Sequence, residues 1–244
     1  MIKNKVIKSL LAIILVIPII FSFTSTSNVQ AASTKVAYVD IPSGVVLNVR
    51  SGASKTNKIV GSLKNKSKVT VYSVTKNGWA KINFNNKKRY VSNEYLRYYK
   101  KMSQHTAKKI IDRVIKIQNS LTKTYTKKQI HSILSAGFTD SLINKFYKYD
   151  LVTYEKDKYG NALYGWNATD FPAYVIMYGI TWDKKKQIEY NAGNPRITYY
   201  EKNGKEYLLV AQKYSDAMYA NVEQKIYLSK ANSKSRWKVY NTSW

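Results

Sequence analysis

The chain of 244 residues contains no cysteine. Disulfide bonds, a cysteine nucleophile, an iron–sulfur cluster and a cysteine-ligated zinc site are therefore excluded. Because no covalent cross-link is available, the stability of the fold has to come from packing. Hydrophobic residues make up 44% of the chain, which is enough for an ordinary core.

Histidine is nearly as scarce, with only His105 and His131 in the sequence. Neither has a histidine or glutamate neighbour at the spacing of metal ligands. The sequence also lacks a Gly-x-Ser-x-Gly nucleophile elbow and a glycine-rich phosphate loop. These absences predict a non-enzymatic protein with no catalytic residues, no cofactor and no metal.

Acidic residues are few, since 14 Asp and Glu stand against 41 Lys and Arg, for a formal net charge of +27. A pair of catalytic carboxylates needs one acid with a raised pKa, whereas neighbouring cations lower the pKa of an acid. Carboxylate catalysis is therefore disfavoured. The acids considered for it are Asp150, Glu155, Asp157, Asp170, Asp183 and Glu189.

The positive charge predicts attraction to polyanions. Outside a bacterial cell these are anionic wall polymers and lipid headgroups, whereas nucleic acid is less accessible to an exported protein. The alternative interpretation is that the lysines only keep the protein soluble.

The N-terminus has the three regions of a secretory signal peptide. Lysines precede an apolar run over residues 10–23, and Val29 and Ala31 occupy the −3 and −1 positions of a cleavage site. The apolar run is too short for a good membrane span. We expect residues 1–31 to be removed, which leaves a secreted or cell-wall-associated chain without a transmembrane span. An uncleaved N-terminal anchor is the alternative.

Residues 36–99 are dense in β-branched and aromatic residues and carry closely spaced turn signals. Short strands at this spacing predict a small all-β barrel or sandwich. Asn77-Gly78 separates two alternating runs and predicts a type I′ hairpin, because that turn needs positive φ at both central positions. The other turn signals are Pro42-Ser43-Gly44, Ser51-Gly52, Asn65-Lys66 and Asn85-Asn86.

The pattern changes near residue 100. Apolar residues at helical spacing predict a helix over 104–123. Thr126 and Gln129 have capping-box spacing and predict a second helix, which Gly137 ends, and a third helix begins at Thr139. Strands are then predicted from Tyr154 onward, including runs at 173–182, 197–201, 206–214, 222–228 and 237–240. Helices followed by antiparallel strands predict an α+β domain over residues 104–244.

Five motifs follow one another between residues 36 and 99: LNVRSG at 47–52, IVGSL at 59–63, KVTV at 68–71, NGWAKI at 77–82 and RYVSNEYL at 89–96. In this order they resemble the bacterial SH3 (SH3b) family. The sequence departs from the family pattern where Ala53 replaces the usual proline and where residues 86–89 replace a glycine-rich turn. The resemblance implies an SH3-like barrel that binds cell-wall peptide or peptidoglycan.

Four residues are selected as the candidate ligand site of the barrel. Trp79 and Tyr90 are its groove aromatics, and Asn48 and Arg50 are their polar neighbours. Two alternatives remain open. In the first, Trp79 closes one end of the barrel core instead of binding a ligand. In the second, Arg50 forms a structural ion pair with Glu94.

Residues 104–244 resemble the NTF2-like fold in the order of their helices, the Asn203-Gly204 hairpin and the final strand at 237–240. This resemblance implies a cone built from N-terminal helices and a curved antiparallel sheet around a pocket.

The favoured hypothesis is a secreted, non-catalytic protein of the cell wall. An SH3-like barrel binds peptidoglycan peptide or glycan, and the basic α+β domain adds retention on anionic wall polymers or docks another secreted protein. The alternatives are a small-ligand-binding or inhibitor-type NTF2-like module tethered by the barrel, and a cell-wall hydrolase.

Overall fold

A computed structural model describes residues 33–167, 175–215 and 222–244. The signal peptide expected over residues 1–31 lies outside these described residues. Within them an all-β unit comes first and an α+β unit follows, which confirms the predicted fold class. The NTF2-like cone stays a prediction, as do the domain limits 36–99 and 104–244.

Seven strands build the N-terminal barrel. They are β1 (Lys35–Val39), β2 (Val46–Arg50), β3 (Ile59–Lys64), β4 (Lys68–Val74), β5 (Trp79–Phe84), β6 (Lys87–Ser92) and β7 (Leu96–Lys100). Alternation along each strand places one set of side chains inside. Val69 and Val71 of β4 and Ala80 and Ile82 of β5 are buried there, as their spacing predicts.

The turns of the barrel differ from the prediction at one place. Only Gly78 has positive φ (80°) in the β4–β5 connection, so the hairpin is confirmed but its type I′ turn is wrong. The connection spans residues 75–78, and the Thr75 hydroxyl accepts a hydrogen bond from Trp79 N (3.0 Å), which favours the longer loop. Type I′ geometry occurs instead at Asn85-Asn86, with φ of 50° and 59°.

The first three helices begin where the sequence predicts, whereas the fourth was not predicted. The helices are α1 (Gln104–Gln118), α2 (Lys127–Leu134), α3 (Asp140–Tyr149) and α4 (Lys184–Glu189). The capping box of Thr126 and Gln129 is formed at the start of α2. The predicted first helix is too long, because α1 ends at Gln118, although Leu121 beyond it is still buried. Among the described helices, none is both long and apolar enough to cross a membrane.

The strands of the α+β unit form a hairpin and a larger antiparallel sheet. The hairpin is β8 (Leu151–Lys156) with β9 (Ala162–Trp166), and the sheet contains β10 (Arg196–Lys202), β11 (Lys205–Tyr214), β12 (Val222–Lys230) and β13 (Lys238–Ser243). Helices and sheet share one hydrophobic core, in which Phe138 and Phe146 are fully buried. The β10–β11 turn is a second type I′ turn, with φ of 52° at Asn203 and 71° at Gly204.

Strand β7 belongs to both units. It pairs with β1 through Arg97 opposite Tyr38, and with β10 through Tyr99 opposite Tyr200. The described strands therefore form one continuous 11-stranded sheet in the order β13-β12-β11-β10-β7-β1-β4-β5-β6-β2-β3. Two separate hydrophobic cores lie along this sheet, one in the barrel and one beneath the helices.

The strand predicted at 173–182 is wrong for its described part. Residues 175–182 have no strand pairing, although Val175, Met177 and Ile180 are buried as a core strand would bury them. Buried backbone N–H and C=O groups need hydrogen-bond partners. In this segment those partners are side chains instead of a neighbouring strand.

Buried polar side chains supply these bonds. Gln118 of α1 accepts from Met177 N and donates to Met177 O, both at 3.0 Å. Gln212 of β11 accepts from Thr181 N at 2.7 Å, and Asp150 accepts from the N–H at the start of the segment at 2.9 Å. The sequence does not indicate that Gln118, Gln212 or Asp150 bonds to backbone groups so far along the chain. The apolar run at 173–182 is therefore typical of a strand.

Candidate functional site

All four residues selected from the sequence, Asn48, Arg50, Trp79 and Tyr90, lie on the outer surface of the barrel. Each of them is adjacent in its strand to a residue that is buried in the barrel core, namely Leu47, Val49, Ala80 or Val91. Because side chains alternate between the two faces of a strand, the four point away from that core. Asn48 is exposed and the other three are half-buried.

Arg50 and Tyr90 are cross-strand neighbours. They face each other in the β2–β6 pairing, and Tyr90 also lies opposite Lys81 of β5. Side chains at such positions are close enough to contact one ligand together. The Arg50 guanidinium donates to Asn57 O (2.8 Å), so the alternative ion pair with Glu94 is wrong.

Trp79 begins β5 and lies opposite Ser92 of β6. The Trp79 side chain is not among those that pack against the barrel core, so it does not close one end of that core. Both backbone polar groups of Trp79 bond to Thr75. Trp79 N donates to the Thr75 hydroxyl (3.0 Å), and Trp79 O accepts from Thr75 N (2.9 Å).

A cleft of about 550 Å³ opens beside Trp79. Its walls are Ser54, Lys55, Asn77, Gly78, Trp79, Ser92, Asn93, Glu94 and Asn203. Of the four selected residues, only Trp79 lines this cleft. The other three lie on the barrel surface outside it.

The cleft walls are tied together by side-chain hydrogen bonds. Asn77 Nδ2 donates to Ala53 O (3.0 Å) and links the two loops on one side. On the other side the Tyr98 hydroxyl donates to Asn93 Oδ1 (2.6 Å). Burial and the nearby carboxylate of Glu201 raise the pKa of Tyr98 to about 12, so this hydroxyl keeps its proton at neutral pH.

Sequence reasoning missed most of the cleft. Lys55 belongs to a turn between β2 and β3, and Asn93 and Glu94 to a single 3-10 turn between β6 and β7, and no pattern in the sequence indicated that these segments meet at a cleft. Asn203 was recognised as a turn residue, but it reaches the barrel only because β10 pairs with β7. No signal in the sequence predicted that pairing.

Residues 45–97 match the family model of the bacterial SH3 domain. They form a bacterial SH3 domain. The match runs from the loop before β2 to β7, so all four selected residues belong to the SH3 domain, while β1 precedes the matched range.

Part of the SH3 domain is also similar to proteins described as "Probable endopeptidase p60". Over 51 residues the identity is 55% to the protein of Listeria seeligeri, 53% to that of Listeria welshimeri and 49% to that of Listeria monocytogenes serovar 1/2a. These residues are 20% of this chain and 10% of each relative. The chain thus covers about a tenth of the length of these relatives, and the similarity involves the SH3 domain alone.

Residues 103–202 match a second family model, described as a protein of unknown function (DUF3993). The match begins at the N-cap of α1 and ends with β10. The chain is therefore an SH3 domain followed directly by a DUF3993 region.

Two of the acids considered for catalysis have partners in local structure. Asp183 caps α4, where it accepts from Lys185 N and Lys186 N. Asp157 accepts from Asn161 and from Tyr159 N in the β8–β9 turn, which lowers the pKa of its carboxyl.

The other acids considered for catalysis differ in their surroundings. Asp150 is buried and binds backbone, and Glu155 accepts from the Thr124 hydroxyl (3.1 Å). Glu189 is the last residue of α4, and Asp170 lies outside the described residues.

The two histidines lie on the surface. His105 is exposed in the first turn of α1, and His131 Nε2 lies 3.2 Å from Asp140 Oδ1. Within the described ranges, no group of three or more histidine and acidic side chains is placed to hold a metal ion.

Proposed function

We propose that the mature chain is a secreted, non-catalytic protein that binds the cell wall through its SH3 domain. The basic α+β part adds retention on anionic wall polymers. The observation that carries the proposal is the position of Trp79 in the wall of a cleft on a bacterial SH3 domain, with Tyr90 and Arg50 paired on the outer surface of the same domain. Bacterial SH3 domains commonly bind cell-wall peptidoglycan.

The chemistry of the cleft suits a short peptide with charged ends. Lys55 offers an ammonium group to a carboxylate, and Glu94 offers a carboxylate to an amine. The amides of Asn77, Asn93 and Asn203 can each donate to and accept from peptide groups. Peptidoglycan peptides carry free carboxylates and amines, so they present the groups that this cleft would recognise.

The absence of catalysis is part of the same proposal. Three of the acids that were considered have structural roles, since Asp150 binds a backbone N–H, Asp183 caps α4 and Asp157 holds a turn. A general acid needs a raised pKa, whereas the hydrogen bonds to Asp157 lower its pKa. The small-ligand module and the wall hydrolase stay as sequence predictions.

The recognition role is tested by sedimentation of the full chain without residues 1–31 with purified cell walls. The double variant Trp79→Ala, Tyr90→Ala should bind roughly tenfold more weakly than the wild type at high salt, where electrostatic retention is screened. The matched control is Tyr159→Ala, because Tyr159 is 77% exposed on the β8–β9 turn, far along the chain from the barrel. Equal binding of the double variant and the control would mean that the SH3 surface does not recognise the wall.

The non-catalytic role has its own measurement. The full chain, incubated with purified walls, should release no more soluble fragments than a heat-inactivated sample. Fragment release above that level, or a clear band in a wall zymogram, would make the protein a hydrolase.

A further inference from the structure

One face of the sheet in the α+β unit packs in the core shared with the helices, and the described part of the chain leaves residues of its other face partly exposed. On the packed face, Leu208 and Val210 of β11 and Ile226 and Leu228 of β12 are buried in the core shared with the helices. Because side chains alternate along a strand, the residues between them lie on the opposite face. This opposite side of β7 and β10 to β13 is termed the outer face.

The outer face carries a tyrosine row, which consists of Tyr38, Tyr99, Tyr200, Tyr207, Tyr240 and Tyr227. The successive ring centroids along this row are 5.3, 5.9, 5.1, 6.3 and 6.1 Å apart. Register confirms that the rings share a face, since Tyr99 lies opposite Tyr200 and Tyr200 opposite Tyr207. None of the six is fully buried, and Tyr99 is 48% exposed.

Cations accompany the tyrosines. By register, Lys205 and Lys213 of β11 and Lys225 of β12 also lie on the outer face. Glu223, an acid on this face, is already bound by Arg196 and Lys225. Lys205 and Lys213 are exposed, and no described acid is within ion-pair distance of either.

Asp40, the acid at the barrel end of the face, is also neutralised. It is held by Arg97 (2.6 Å) and by Lys202 (2.5 Å). The outer face thus has a surplus of positive charge around a line of aromatic rings.

We propose that the outer face binds a sugar-substituted phosphate polymer, an inference that rests on the proposed association with the wall. The C–H faces of sugar rings pack on aromatic side chains, and phosphates pair with lysine. A row of rings beside cations suits a linear ligand that is both ring-bearing and anionic. A neutral glycan would leave the lysines unused, and inorganic polyphosphate would leave the tyrosines unused.

Part of the tyrosine row has a structural role. Tyr38, Tyr99 and Tyr200 cross the junction between β1, β7 and β10, where Arg97 also lies 4.6 Å above the Tyr200 ring. Tyr207 and Tyr227 lie on β11 and β12, away from this junction, and these two strands pair continuously from Glu206 to Tyr214. Substitutions at Tyr207 or Tyr227 therefore test ligand binding without changing the contacts that join the two units.

The test uses the full chain without residues 1–31 and three probes of equal charge at physiological salt. The probes are glucosylated poly(glycerol phosphate), unsubstituted poly(glycerol phosphate) and single-stranded DNA. Tyr227→Ala should weaken binding of the glucosylated polymer roughly tenfold and leave the unsubstituted polymer nearly unchanged. Tyr227→Phe should retain most of the affinity, because it keeps the ring. Lys205→Glu with Lys213→Glu should weaken binding of both polymers.

Matched controls come from other exposed surfaces. Tyr159→Ala removes a tyrosine that is 77% exposed. Lys109→Glu with Lys116→Glu reverses two exposed lysines of α1. Circular dichroism and melting temperature confirm that each variant is folded.

Three results would overturn the inference. They are equal losses for Tyr227→Ala and Tyr159→Ala, equal affinity for the two phosphate polymers, or tighter binding of single-stranded DNA with the same dependence on Tyr227. Wall sedimentation separates this inference from the proposed function. A wild type that sediments with walls but ignores the glucosylated polymer refutes the outer-face site alone. A Trp79→Ala, Tyr90→Ala variant that sediments like wild type refutes SH3 recognition alone.

Discussion

The SH3 domain and the α+β unit satisfy their buried backbone groups in different ways. In the SH3 domain neighbouring strands supply the partners, and short turns set their register. In the α+β unit, residues 175–182 run through the core without strand pairing, and side chains such as Gln118 and Gln212 supply the partners. The first arrangement depends mainly on local sequence, whereas the second depends on residues far apart in the chain.

The strongest test of this contrast removes a large core side chain from the α+β unit. Phe146 is fully buried and packs edge-to-face on Phe138 (5.5 Å) and Trp166 (5.3 Å). Phe146→Ala should lower the free energy of unfolding of this unit by about 3–5 kcal/mol, because it leaves a cavity. Hydrogen exchange of individual amides measures the effect in each unit separately.

Exchange at the buried SH3 residues Ile82 and Val91 should change little in this variant, since the two units have separate cores. The control Val91→Ala should show the reverse pattern. If Phe146→Ala accelerates exchange equally in both units, the continuous sheet makes them one cooperative unit and the contrast fails.

The next test removes one buried amide. Gln118→Leu keeps the volume of the side chain but leaves both Met177 N and Met177 O without their partner. Each unsatisfied buried group costs about 1–3 kcal/mol, so we expect the two groups to lower the free energy of unfolding by about 2–6 kcal/mol. Denaturant titration measures this loss.

Gln104→Leu is the matched control, because Gln104 is an exposed glutamine in the first turn of the same helix. It should change stability by less than about 0.5 kcal/mol. Similar losses for the two variants would show that the Gln118 amide is not what holds residues 175–182.

These differences explain which parts of the fold can be predicted from the sequence. The SH3 strands and the starts of α1 to α3 follow from alternation, turn residues and caps, all of which are local signals. For Trp79 the sequence left two positions open, one on the outer surface and one at the end of the barrel core. The irregular course of residues 175–182 and the contribution of Asn203 to the cleft depend on contacts between distant residues, which single-sequence patterns do not contain.

A smaller effect is expected at the junction of the two units. Burial opposes the charge of Asp40, but hydrogen bonds from Lys202 and Arg97 outweigh it, so the pKa of Asp40 lies below its ordinary value of 3.8. A lowered folded-state pKa stabilises the fold above the unfolded-state pKa, and this stability is lost as pH falls through the folded value. Asp40→Asn should therefore cost about 1 kcal/mol at pH 6.

The measurement is the free energy of unfolding of wild type and Asp40→Asn between pH 2 and pH 6. The difference between them should shrink once the pH drops below about 4. Asp112→Asn is the control, because Asp112 forms an exposed pair with Lys108 within α1. A difference for Asp40→Asn that is constant over the whole range would contradict the role of the ion pairs.

The smallest effect tests the local character of the SH3 domain. Lys66 has φ of 65° in the β3–β4 turn, a conformation that glycine adopts without strain. Lys66→Gly should raise the free energy of unfolding by about 0.5 kcal/mol, since relief of strain slightly exceeds the added entropy of the unfolded chain. Lys68→Gly, in the adjoining strand, should instead destabilise the domain. A melting temperature that falls for both variants would contradict this account.

The double pairing of β7 has a consequence for any attempt to separate the two units. Cutting the chain after Lys100 would expose the N–H and C=O groups of Tyr98 to Lys100 that now pair with β10. Unpaired strand edges of this kind recruit strands from other molecules. An excised SH3 domain is therefore expected to self-associate along β7, and the native chain protects that edge by continuing directly into its own second sheet.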